Sequence, residues 1–120
     1  MSDRSVTVGE LREVVSRFVA ERRWERFHDA KNLSMSIAIE AAELMEHFQW
    51  VKTEELAAVV ADEERRVQIT DELADIVCYV LAFANGLDID LSTAVREKMT
   101  KNAAKYPAEE FQGRYYKPES

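Results

Sequence analysis

Asn32 to Phe48 reads NLSMSIAIEAAELMEHF, and this stretch decides the fold. Leu33, Met35, Ile37, Ala38, Ile39, Ala41, Ala42, Leu44, Met45 and Phe48 cover most of the circumference of a helix drawn through it. A helix that is apolar nearly all round is expected at the centre of a helical core. Among its carboxylates, Glu40 and Glu43 interrupt the apolar run at a spacing of three. That spacing places them on one face, with Cβ atoms about 5–6 Å apart. The stretch therefore predicts a buried central helix with acidic groups embedded in it.

Further amphipathic helices flank it on both sides. Val8, Leu11, Val14, Val15, Phe18 and Val19 recur at helical spacing and predict a first helix from about Thr7 to Arg23. Thr7 and Glu10 suit a capping box. A polar and aromatic connection, Trp24 to Lys31, leads into the second helix. After Trp50, Thr53-Glu54-Glu55 starts a short helix that ends near Ala61. A third long helix is expected from about Asp62 to Asn85, with Gly86 just past its C-cap. A fourth begins near Asp90 or Ser92 and stops before Pro107. The tail from Glu109 to Ser120 reads as irregular, or as packed on a neighbour.

Three glycines and two prolines in 120 residues supply few of the turns that a strand-rich fold needs. The expected class is all-α, a four-helix-bundle core in a single domain over 1–120, with the core at about 8–107. Helices this apolar leave surface to spare in a small monomer, so self-association is expected. The net charge of −7 comes with no basic stripe, which argues against a nucleic-acid polymer as partner. The first ten residues hold no apolar signal core, and no uninterrupted apolar run is long enough to span a bilayer. Cys78 is the only cysteine, which excludes an intrachain disulfide and suits a cytoplasmic location. It sits in the apolar run Ile76 to Leu81 and reads as an inert core residue.

The spacing of Glu40 and Glu43 recurs at Glu72 and Asp75, again in apolar sequence. Buried carboxylates without partners cost several kcal/mol each, and two pairs facing one another also repel. A bound cation removes both costs. An all-oxygen donor set suits a hard ion, Mg²⁺ above all. The competing reading, four ordinary solvated helix carboxylates, is weakened by the repetition of the pair in apolar surroundings. Di-iron bundles use Glu-x-x-His motifs. His47 follows Glu43 by four, so that motif is absent.

Tyr79 follows Asp75 by four and shares its face. It is either a core tyrosine or part of a pocket. Lys98, Asn102 and Tyr106 follow one another at spacing four, giving either a solvated face or a row of phosphate donors. Trp24, Phe27, His28 and Trp50 supply flat side chains near the ends of the first two helices. They either close a small core or stack on a base, at about 1–3 kcal/mol per contact. There is no glycine-rich phosphate loop and no Cys–His or Ser–His pair, so any nucleophile is expected to be water.

Four segments together, AERRWERFHDAKNL, Glu40-x-x-Glu43, Phe48-Gln49-Trp50 and Glu72-Leu73-Ala74-Asp75, resemble the MazG-like all-α nucleoside triphosphate pyrophosphohydrolases, and within them the dCTP pyrophosphatase branch. Residues 44–71 stand where that family has a spacer of variable length. The segment from Lys98 through Asn102 to Tyr106-Pro107 is similar to its final helix. The resemblance runs from about Val8 to Pro107.

It implies hydrolysis of a nucleoside triphosphate between its α- and β-phosphates, clearing surplus or non-standard deoxynucleotides. It implies Mg²⁺ held by Glu40, Glu43, Glu72 and Asp75, with Glu40 or Glu43 orienting the water. Tyr79, Lys98, Asn102 and Tyr106 would contact phosphate or sugar, and Trp24, His28 and Trp50 would shape the base pocket. The implied substrate is dCTP or a modified dCTP. dUTP or another base, and a non-catalytic nucleotide- or protein-binding helical module, remain as alternatives.

Overall fold

The computed structural model describes residues 1–114, and these hold α-helices and short 3₁₀ turns with no strand. The helices are α1 (Val8–Glu21), α2 (Ala30–Glu46), α3 (Leu56–Ala61), α4 (Glu63–Leu87), α5 (Leu91–Lys105) and α6 (Ala108–Phe111). The all-α class expected from the sequence is the class observed. The chain divides into two compact units, Met1–Asp88 and Ile89 onward. Residues 115–120, the last half of the tail expected to be irregular, lie outside the described residues.

Local chemistry sets the helix starts. The Thr7 hydroxyl accepts from Glu10 N at 3.1 Å. A carboxylate does the same at the head of three other helices: Asp29 for α2, Asp62 for α4 and Asp90 for α5. Each satisfies a backbone N–H that the helix itself leaves free. α2 thus begins two residues before Asn32, and α5 takes Asp90 rather than Ser92 as its cap.

The end of α4 differs from expectation. The helix runs through Gly86 to Leu87, and Asp88 takes the left-handed conformation at φ 53°. Asp is one of the few residues other than glycine that visits that region readily. The last turn of α4 is also pinned from outside. Arg12 Nε donates to Asn85 Oδ1 at 2.9 Å, and Asn85 Nδ2 donates to Arg12 O at 3.2 Å.

In the first unit α4 is the central element: α2 packs along it most extensively, and α1 and α3 also lie against it. The buried apolar residues are Val19 from α1, Leu33 from α2, and Leu81, Ala82 and Ala84 from α4. The expectation of a fully buried α2 is therefore corrected. Met35, Ile39 and Met45 are exposed, Ile39 by 57%. One chain gives α2 a partner on one side only, so its opposite apolar face stays in water. Cys78 is also exposed rather than in the core, because the core side of this part of α4 is taken by Leu81, Ala82 and Ala84. No single helix among the described residues is long and apolar enough to cross a membrane.

In the second unit, α5 is followed by Pro107 and the single turn α6. The Tyr106 ring meets Phe111 edge-on at 5.2 Å, which folds α6 back on the end of α5.

Candidate functional site

The site is built where α2 lies on α4. Glu40 and Glu43 come from α2; Glu72 and Asp75 come from α4. Glu40, Glu43 and Glu72 are half-buried and Asp75 is exposed. One oxygen of Glu40, Oε2, is sealed from solvent and has no hydrogen-bond partner. Burial raises the Glu40 pKa. A side-chain contact with Glu43 raises it further, and the charges of Glu43, Asp75 and Glu72 add to the same shift. The other three expected ligands thus all act on Glu40, as two i, i+3 pairs on facing helices should.

Glu72 Oε2 is likewise buried without a hydrogen bond, although His47 Nε2 lies 3.1 Å away. Among the described residues no three acidic, imidazole or thiol groups converge as a ready-formed cage. The fit to a cation rests instead on chemistry: hard oxygen donors, like charges facing one another, and two sealed oxygens without donors.

The raised Glu40 pKa has a consequence for stability. The folded chain binds this proton more tightly than the unfolded chain does. The group's contribution is therefore most favourable below the ordinary carboxylate value, and is lost as pH rises through the window up to the raised value. In a chelator, thermal melts of wild type should gain stability on acidification through that window, relative to Glu40→Gln. Identical pH profiles for the two proteins would contradict the account.

A pocket of about 410 Å³ adjoins the carboxylates. Val14, Val15, Phe18 and Val19 of α1 line it together with Trp24, His28, Asp75, Cys78, Tyr79 and Ala82. Trp24 and His28 stand in the connection between α1 and α2. Phe18 meets Trp24 edge-on at 5.7 Å; Trp24 lies 6.3 Å from His28, and His28 6.4 Å from Tyr79. His28 Nδ1 is buried and without a partner. Asp75 thus lines the aromatic pocket while its charge acts on Glu40 of the acidic cluster. Burial raises the Tyr79 pKa, helped by Glu40 and Asp75, so its phenol keeps its proton and can donate. Partial burial and Asp75 also push the Cys78 thiol up, which makes it a poor nucleophile.

The expected site residues are divided between the two units. Glu40, Glu43, Glu72, Asp75, Tyr79, Trp24 and His28 share the first unit. Trp50, past the end of α2, is 86% exposed and makes no ring contact with Trp24 or His28. Lys98, Asn102 and Tyr106 belong to the second unit. There Asn102 Nδ2 approaches Met99 Sδ at 3.7 Å, and Lys105 Nζ sits over the Tyr106 ring at 5.3 Å. Tyr106 is the C-cap of α5, its N–H still donating to Asn102 O at 2.7 Å. Phe18 and Cys78 line the pocket without having been read as site residues. Phe18 looked like one more apolar residue of α1; Cys78 could have been found from its spacing of three after Asp75.

A model of the MazG-like family matches residues 35–117, which contain both carboxylate pairs. The chain belongs to the MazG-like family. This MazG-like chain is 38% identical over 101 residues to dCTP pyrophosphatase 1 of Bos taurus, covering 84% of the chain and 60% of that protein. It is 36% identical over 102 residues to dCTP pyrophosphatase 1 of Homo sapiens, covering 85% and 60%. It spans about 60% of the length of these curated relatives. A pyrophosphatase crystal structure from Archaeoglobus fulgidus DSM 4304 superposes with a TM-score of 0.79 at 36% identity, covering 89% of this chain and 98% of that one.

Proposed function

We propose that this MazG-like protein hydrolyses a (deoxy)nucleoside triphosphate, dCTP or a modified dCTP, to the monophosphate and pyrophosphate, with Mg²⁺ as cofactor. The observation that carries the reading is Asp75, which lines an aromatic pocket while its charge acts on a Glu40 carboxyl with an unpartnered oxygen. The names of the relatives support the choice of substrate class. The working form is proposed to be a homotetramer or homodimer in the cytoplasm; the exposed apolar face of α2 supports the association.

Glu40, Glu43, Glu72 and Asp75 would hold the cation, which supplies neutralisation of the triphosphate and polarisation of the α-phosphoryl group. Trp24 and His28 offer flat surfaces to the base. The protonated Tyr79 phenol offers a hydrogen bond to phosphate or sugar. Glu40 or Glu43 orients the attacking water and takes its proton as the water oxygen bonds to the α-phosphorus and the bond from that phosphorus to the bridging oxygen breaks, releasing pyrophosphate. Lys98, Asn102, Tyr106 and Trp50 complete the proposed substrate contacts.

The test is a panel of common and modified nucleoside triphosphates with Mg²⁺, with every product identified. The expected products are the monophosphate and pyrophosphate, with dCTP or a substituted dCTP the best substrate. Release of orthophosphate alone sinks the reaction type. A uracil preference moves the assignment to dUTP. Binding without turnover makes the chain a nucleotide-binding module.

A further inference from the structure

His47 follows the last residue of α2, seven residues after Glu40 and so on the same side of the helix. Its imidazole reaches α4. Nε2 lies 3.1 Å from Glu72 Oε2, and the two side chains are 14% and 24% exposed. Its surroundings hold it in place. Arg65 Nη1 donates to the His47 carbonyl at 3.2 Å, and the imidazole meets the Phe48 ring at 6.5 Å, edge-on. Glu72 Oε2 is buried and takes no aligned hydrogen bond, so His47 Nε2 meets it at ion-pair distance only.

We propose that His47 is a positioning residue for the cation site: it holds one oxygen of Glu72 from behind and leaves the other for a divalent cation. The inference rests on the proposed metal role of the carboxylates. A glutamate has three rotatable bonds, and like charges at Glu40, Glu43 and Asp75 drive its carboxylate away from the cluster. With a proton on Nε2, a small turn of the imidazole ring aims a directional donor at this oxygen across the short distance already present. Donors that orient ligands in this way typically matter about 10–100-fold in metal affinity when removed. A purely structural link between α2 and α4 would instead act on the melting temperature and leave affinity alone.

The experiment is a Mn²⁺ titration of the full chain followed by electron paramagnetic resonance, with Glu72→Gln, His47→Leu and His47→Gln. Melting of each metal-free variant is recorded alongside. His47→Leu is expected to bind Mn²⁺ about tenfold or more weakly. His47→Gln, whose amide N–H reaches to a similar point, is expected to restore most of the loss. Wild-type affinity in His47→Leu overturns the proposal. Equal losses in the Leu and Gln variants also overturn it, because packing rather than the donor would then be responsible. No Mn²⁺ binding by wild type removes the metal reading itself, and this inference with it. Binding lost in Glu72→Gln but untouched in both His47 variants removes this inference alone.

Discussion

Glu43→Gln and Asp75→Asn each lower kcat/KM for the best triphosphate by on the order of a hundredfold or more, while the chain stays helical. Each exchange keeps the shape of the side chain and removes one negative charge. In a cluster where Glu43 and Asp75 both raise the Glu40 pKa, losing one charge relieves repulsion in the metal-free fold. The thermal melt in a chelator should therefore be unchanged or higher. The Mg²⁺-induced rise in melting temperature should shrink, since an ion bound only by the folded state stabilises it in proportion to its affinity. Opposite movements of stability and activity are the mark of charges kept for function. Steady-state kinetics with melts in chelator and in Mg²⁺ read both. Wild-type turnover in both variants would remove the proposed site.

How the same carboxylates gather around Glu40 was legible in the sequence. Two i, i+3 pairs in apolar sequence specify a face, and a face on each of two packed helices specifies a cluster. Caps were legible for a similar reason: Thr7 and Asp90 act on backbone N–H groups three residues away. Where α4 ends was not legible. Its last turn is bonded to Arg12, 73 residues away, and Asp88 accepts the left-handed turn that Gly86 was expected to provide. The exposure of α2 and of Cys78 was hidden too. An apolar pattern says which residues avoid water, but not how many neighbours one chain supplies. His47 lies four residues after Glu43, a spacing that argues against di-iron chemistry; its reach to Glu72 depends on how α2 crosses α4. The aromatic connection was half legible. Trp24 and His28 share a pocket across a single turn, whereas Trp50 hangs at the far end of α2.

Leu33→Ala is expected to cost about 2–5 kcal/mol, a large share of the roughly 5–15 kcal/mol that keeps a domain folded. Leu33 is 2% exposed and is the largest fully buried side chain among the described residues. Few other side chains are sealed, so the cavity left behind has little around it able to collapse inward. A chain of this size should lose about 3–6 °C of melting temperature per kcal/mol. Leu33→Met keeps the volume and should cost less than about 1.5 kcal/mol. The loss also reaches the site. Leu33 stands seven residues before Glu40, and Glu40 seven before His47, so one side of α2 carries the core anchor, the acidic cluster and the His47 contact in turn. Loosening the anchor lets the carboxylates of α2 drift from those of α4. Mg²⁺ should therefore restore part of the Leu33→Ala melting temperature, because cation binding and the packing of α2 on α4 favour the same arrangement. Circular dichroism melts with and without Mg²⁺ measure this. A melting temperature for Leu33→Ala within a degree or two of wild type would mean that α2 is not anchored there.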